Sequence, residues 1–212
     1  MMLDRFLPRI DFESYEDFYA NYTVSVPPSF NYGFDVVDEM ALKTPDKTAI
    51  VWCNDAGKER IVSFGEMSSW SNQMACAFTS LGITKGDAVM LILKRRVEYW
   101  PAVIALHKIG AVAIPATNQL KKKDLVYRFK AANVKMLVSV NEASIRNELT
   151  LALKEHPLEV KVLCDGPYPK DDPQLTEEGW LDLAQITQNA ASVFDRPQGE
   201  RATDNDDPML LY

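Results

Sequence analysis

Between residues 88 and 164 short apolar runs alternate with longer stretches of helical periodicity, and no other feature restricts the fold as much. The runs lie at 88–93, 111–114, 135–140 and 160–164. Between them, segments 97–108, 123–132 and 144–154 carry apolar residues every three or four positions. Because the short runs are apolar at consecutive positions, both of their faces must be covered. Strands covered on two faces and linked by helices of ten or more residues assemble into parallel sheets. The expected fold class is therefore α/β: a mainly parallel sheet flanked by helices on both faces.

The elements ahead of this series have structural explanations. A short aromatic helix is expected over 14–22, a break at Pro27-Pro28, and a docking helix over 34–43 with Val36, Val37, Met40 and Ala41 as its stripe. Two β-rich runs, 48–53 and 60–64, flank Asn54-Asp55-Ala56-Gly57-Lys58, a polar link suited to a hairpin. Ser63 stands three residues before Glu66, so the serine can cap the next helix while the glutamate reaches back to the backbone. Met67, Trp70, Met74, Phe78 and Leu81 then recur at helical spacing up to Gly82. Trp52, Trp70 and Trp100 read as packing residues. Further on, 165–173 is a proline-rich surface loop, 180–188 a short helix, and 195–208 an acidic connection into an apolar strand over 209–212. This divides the chain into an extension, 1–33, and an α/β subdomain, 34–212. A strand at 209–212 leaves its following loop and crossover unwritten, which reads as the amino-terminal part of a larger enzyme.

Composition removes several classes of function. A net charge of −7 argues against general nucleic-acid binding, which needs a basic face. The three cysteines, Cys53, Cys76 and Cys164, are odd in number and lack CxxC spacing, as expected of a reduced, cytoplasmic chain. The first residues carry acids and a proline where a signal peptide needs an apolar core. The stretch 99–106 is broken by His107 and Lys108, well short of the ~20 apolar residues of a membrane helix. A soluble chain without a membrane span follows.

Chemistry is harder to find. The nine glycines never approach GxGxxG or GxxxxGK spacing, so no nucleotide phosphate loop is expected. Two histidines, His107 and His156, cannot make a metal cluster, and no GxSxG elbow presents a serine. No catalytic residue and no metal site emerge. His107 falls late in a helix, where a cation suits the helix dipole. Lys121-Lys122-Lys123 opens a helix and is either a phosphate attractor or a solvated basic patch. Lys94-Arg95-Arg96 follows the carboxyl end of a strand, where open sheets bind ligands, or else forms ion pairs with acids such as Glu98.

Three segments, in order and at matching spacing, resemble the adenylate-forming, AMP-binding superfamily of acyl-CoA synthetases, luciferases and peptide-synthetase adenylation domains. Val62-Ser63-Phe64-Gly65-Glu66-Met67 is similar to "(L/V)-(T/S)-(Y/F)-x-(E/D)-(L/M)". Leu81-Gly82-Ile83-Thr84-Lys85-Gly86-Asp87-Ala88-Val89 is similar to "L-G-(I/V)-x-x-G-D-x-V". Ala105-Leu106-His107-Lys108-Ile109-Gly110-Ala111-Val112-Ala113-Ile114-Pro115 looks like "A-x-x-(K/R)-x-G-A-x-x-x-P". The resemblance covers roughly residues 30–212, and Ala116-Thr117-Asn118-Gln119-Leu120 with Asp124-Leu125-Val126-Tyr127-Arg128 looks most like the medium-chain acyl-CoA synthetases.

The resemblance implies a parent enzyme that forms an acyl-adenylate from a carboxylic acid and ATP and passes the acyl group to coenzyme A, with ATP, CoA and Mg2+ as its cofactors. It further implies that the strand at 209–212 runs into a "T-S-G-T-(T/S)-G-x-P-K" phosphate loop, so that this chain alone is inactive and binds none of these groups tightly. Gln119 matches a glutamine near the CoA channel; its amide either contacts CoA or satisfies loop backbone. Thr117 and Asn118 are weaker candidates for the same channel. Arg146 matches a region that offers arginines to CoA phosphates, or is a solvated surface residue. A chain cut from such an enzyme is expected to self-associate through surface that the parent buries. A self-standing, non-catalytic α/β binding module is the rival reading.

Overall fold

A computed structural model describes residues 3–164 and 179–211. Helix α1 (Tyr15–Asn21) is capped by the Ser14 hydroxyl, which accepts from the Asp17 N–H, and it buries no residue. A wide helical turn over Gly33–Asp38 continues as α2 (Glu39–Lys43). Strands β1 (Thr48–Cys53) and β2 (Glu59–Ser63) form the expected antiparallel hairpin. Helix α3 (Phe64–Ser80) begins at Ser63, whose hydroxyl accepts from the Glu66 N–H. The Glu66 carboxylate does not reach back as expected; it accepts from Arg60 at 2.6 Å, because the hairpin places that guanidinium beside it.

The main sheet follows as β3 (Ala88–Ile92), α4 (Tyr99–Ile109), β4 (Val112–Pro115), α5 (Lys122–Ala131), β5 (Val134–Val140), α6 (Ala143–Glu155), β6 (Val160–Cys164), β7 (Leu181–Asp182) and α7 (Leu183–Gln188). Five strands lie in the order β4-β3-β5-β6-β7, and every neighbouring pair is parallel. Strand β3 occupies the middle of the sheet's first three strands and is buried at all five positions. Its residues separate by parity. Val89 and Leu91 join Met74, Phe78, Ala102 and Leu106 of α3 and α4 on one face. Met90 and Ile92 join Leu125, Phe129, Ile145 and Leu149 of α5 and α6 on the other. Each large apolar side chain so covered contributes about 1.5–3 kcal/mol.

Two expectations at the ends of the series need correction. The 180–188 segment is not one helix, since Leu181–Asp182 first pairs with β6 and the helix starts only at Leu183, capped by the Asp182 carboxylate. Of the segment expected as a strand over 209–212, the described residues 209–211 make one parallel bridge, between Leu210 and Ala113. The Ala113 N–H donates to Met209 O at 3.1 Å and the Leu211 N–H to Ala113 O at 3.0 Å. Pro208 has no N–H to extend this ladder upstream. The loop expected over 165–173 lies outside the described residues, as does Tyr212.

The stretch before the hairpin is tied down by Val37 in a small apolar cluster and by a set of polar contacts. Asn31, wholly buried, donates to His107 O at 2.6 Å and to Thr203 Oγ1 at 3.0 Å. Asp35 accepts both forks of Arg196, at 3.0 and 2.8 Å, and that guanidinium lies over the Phe34 ring. These bonds hold the Asp35 carboxyl below the usual aspartate range against the opposing effect of its burial. Gly33 is required by close approach: a Cβ there would lie 2.5 Å from Lys108 Cγ.

Candidate functional site

The chain leaves β3 into α4 on one face of the sheet and leaves β4 and β5 into α5 and α6 on the opposite face. Where neighbouring strands send their connections to opposite faces, a crevice opens at their carboxyl ends, and such crevices are where open α/β sheets bind ligands. Here it is an open cleft of about 1360 Å³. Its floor is Leu91, Leu93, Pro115 and Ala116; its rim is formed by Lys94, Arg95 and Arg96 after β3, Thr117 and Asn118 after β4, and Asn141 and Glu142 after β5. The hairpin, from Trp52 to Ala56, closes one side.

Hydrogen bonds fix this rim. The Trp52 indole N–H donates to Arg95 O at 2.7 Å and pins the hairpin to the β3 exit. Lys94 adopts a left-handed backbone, φ 52°, uncommon for a side chain with a Cβ. Its ammonium pairs with Glu142 across the cleft, at 2.8 and 3.0 Å to the two oxygens. Glu142, not Glu98, is thus its acidic partner, because the parallel pairing of β3 with β5 sets those two exits side by side.

The residues singled out from the sequence are brought partly together. Thr117, exposed, and Asn118, half-buried, line the cleft. Gln119 is exposed just beyond the lining, and its backbone N–H donates to Thr117 Oγ1 at 3.3 Å. Arg146 lies behind the rim on α6, where its guanidinium donates to Asn141 Oδ1 at 2.6 Å. It reaches the cleft through Asn141.

The lysine run at the start of α5 is solvent-exposed, and two of its three cations are paired with the protein's own acids. Glu148 accepts from the Lys122 N–H at 2.8 Å and from the Lys121 ammonium at 3.2 Å, while Lys122 pairs with Glu155 at 2.7 Å. The protein's own carboxylate fills the anion position at this helix end. That backbone bond, with Lys121, holds Glu148 below the usual range. His107 also departs from expectation. Burial lowers its pKa to about 4, so it is a neutral ring near neutral pH and not a cation on the helix dipole. Trp100 is 49% exposed and lies outside the core, edge-on to Tyr99.

Sequence reading passed over Lys108. Its side chain is fully buried and donates to Asp38 Oδ1 and to Asn72 Oδ1, both at 2.6 Å. A signal existed, since Lys108 occupies the basic position of a quoted motif. Among the described residues no group of three or more His, Cys, Asp or Glu is placed to hold a metal ion.

The switch-point cleft and the strand order define an open parallel α/β architecture, a class that binds ligands at its strand ends, and comparison with known proteins gives its family. The chain belongs to the AMP-binding enzyme family, which it matches over residues 37–212. It is 32% identical over 193 residues to the rat protein "Acyl-coenzyme A synthetase ACSM4, mitochondrial", covering 88% of this chain and 31% of that one. The human "Acyl-coenzyme A synthetase ACSM3, mitochondrial" is 30% identical over 187 residues, covering 85% and 30%. The chain thus spans about a third of the length of these relatives. The crystal structure of the anthranilate CoA ligase AuaEII in complex with anthranoyl-AMP shares the fold, with a TM-score of 0.67 at 19% identity over 86% of this chain and 32% of that one.

The relatives correct one expectation. A cytoplasmic location was expected, yet the similar rat and human synthetases are named as mitochondrial. Three unpaired cysteines do not distinguish one compartment from another. Among the described residues no helix is long and apolar enough to cross a membrane.

Proposed function

We propose that this chain supplies the amino-terminal α/β portion, from about residue 34, of an acid–thiol ligase: an acyl-CoA synthetase of the medium-chain type. That enzyme would convert a carboxylic acid, ATP and CoA to acyl-CoA, AMP and pyrophosphate through an acyl-adenylate. The observation that carries the reading is the family match over residues 37–212. The cleft supports it chemically. Thr117 and Asn118 on its rim and Gln119 beside it offer neutral hydroxyl and amide groups, able both to donate to and accept from a pantetheine or adenine moiety. In this reading they orient CoA as it crosses the strand ends. Arg146 acts one residue removed by fixing Asn141. CoA supplies the thiol that accepts the acyl group. No residue described here is assigned to adenylate chemistry, and none is assigned to Mg2+.

On this reading the 212-residue chain is inactive alone, binds ATP and CoA weakly, and self-associates. ATP–pyrophosphate exchange tests it. The purified chain should give no exchange with octanoate or benzoate, and a longer protein that continues from residue 212 into a Gly/Ser/Thr-rich phosphate loop should give it. Exchange that persists through repurification of the 212-residue chain would refute its inactivity alone, and a coding sequence that stops after Tyr212 would refute the proposal in favour of the non-catalytic module.

A further inference from the structure

We propose that the cleft rim is an anion subsite for a phosphate-bearing ligand, held by the Arg95 guanidinium, with the Lys94 ammonium as a second cation that Glu142 occupies until the ligand arrives. The site itself rests on geometry; only the identity of the phosphate rests on the synthetase reading.

Arg95 and Lys94 both line the cleft at the carboxyl end of β3. Among the described residues the Arg95 side chain makes no hydrogen bond or ion pair, and it is exposed. Its backbone is nonetheless fixed, because its carbonyl accepts from Trp52. A fixed backbone with an open planar fork suits two-point recognition of a phosphate. Lys94 adds the left-handed backbone that turns the chain at the strand end. Such conformations cost about 1–3 kcal/mol and concentrate at functional sites.

Charge argues in the same direction. The chain carries a net charge of −7, so its overall field disfavours anions, and a phosphate can enter only where cations are gathered locally. The cleft gathers three of them, Lys94, Arg95 and Arg96, against two acids, Asp55 and Glu142. Both partners of the Lys94–Glu142 pair are more than a third exposed. Exposed pairs of this kind contribute about 0–1 kcal/mol, so an arriving dianion can take Lys94 from Glu142 at little cost. The α5 start, where Glu148 fills the anion position, offers no comparable opening.

Calorimetric titration of the protein with inorganic pyrophosphate and, separately, with CoA tests the proposal. At least one probe should bind saturably and more weakly at high salt. Arg95→Ala should weaken that binding about tenfold or more, Arg95→Lys by less, and Glu142→Gln should strengthen it severalfold. Arg201→Ala, an exposed arginine outside the cleft, should have no effect. CoA binding that depends on Arg95 assigns the site to the nucleotide's phosphates, and pyrophosphate binding that depends on it assigns the site to the free anion. The proposal is overturned if neither probe binds, if Arg95→Ala changes nothing or only as much as Arg201→Ala, or if Glu142→Gln binds no better than the unsubstituted protein. Binding is read without turnover, so a failed exchange assay leaves this result standing, and the reverse also holds.

Discussion

The Lys108 ammonium donates to Asp38 Oδ1 at 2.6 Å across 70 residues of sequence, and the lysine side chain is wholly buried while the aspartate keeps a quarter of its surface. The pair fastens the turn before α2 to the end of α4. Its partners are unequal in what their loss leaves behind. Asp38→Ala leaves a buried ammonium with only the neutral Asn72 amide and the Phe34 ring face, and should destabilise by roughly 3–5 kcal/mol. Lys108→Met leaves a partly solvated carboxylate that still accepts from Ser68, and should cost about 1 kcal/mol or less. Urea unfolding of the two variants checks the order, and equal losses would show that Asp38 has no other source of solvation.

Next to that lysine, His107 predicts an acid limb to stability. Its folded pKa is about 4 against an ordinary value of 6.5, because burial disfavours the imidazolium. Between those values the unfolded chain binds a proton that the folded chain does not, so stability falls as pH drops from 6.5 to 4. The difference amounts to about 3 kcal/mol when complete. His107→Gln should flatten this window, as measured by denaturant midpoints at pH 4.5, 5.5 and 6.5. An unchanged slope would assign the limb to other groups. Asp35 and Asp87 are held below the usual aspartate range, so their contribution is present above about pH 4 and is lost below it.

How much of this was legible beforehand follows from the kind of signal each feature leaves. The β3 to β6 series was readable because consecutive apolar positions and helical spacing are local patterns, and its boundaries fall within about two residues of expectation. The cleft was partly readable, since Lys94, Arg95 and Arg96 follow a strand end whatever the packing. Side-chain partners were not. Lys94 with Glu142, Arg146 with Asn141 and Lys121 with Glu148 depend on strand order and helix rotation, which no local pattern encodes. His107 escaped for a related reason: its place late in a helix is visible in sequence, but the cover from segment 31–43 that neutralises it is not. The 209–212 run has strand composition yet its described residues, 209–211, make one bridge, because what decides a strand is the partner's ladder and not the residues alone.

Gly110 predicts a sharp steric penalty. It ends α4 with φ +81°, and a Cβ there would lie 2.8 Å from Thr203 Cγ2 and 3.1 Å from Lys85 Cγ. Gly110→Ala combines left-handed strain with a collision against the segment that also bonds Asn31, so a loss of about 2 kcal/mol or more is expected. Thermal unfolding measures it. Adding Thr203→Ser should recover part of the loss by removing the struck methyl; no recovery would place the whole cost in the backbone.

The hairpin's grip on the cleft rests on one directed contact that can be removed almost alone. Trp52→Phe keeps an aromatic ring against the small core under the hairpin and deletes the 2.7 Å bond to Arg95 O. The expected cost to global stability is about 1 kcal/mol. The local effect should be clearer. Amide exchange should quicken across 48–63 and at 94–96 while β3, β5 and β6, buried on both faces, keep their protection. Because Arg95 presents its guanidinium from a backbone held by that indole, Trp52→Phe should also weaken pyrophosphate or CoA binding by less than Arg95→Ala does. Exchange that rises equally over the whole sheet would mean instead that Trp52 supports the fold at large and not the cleft.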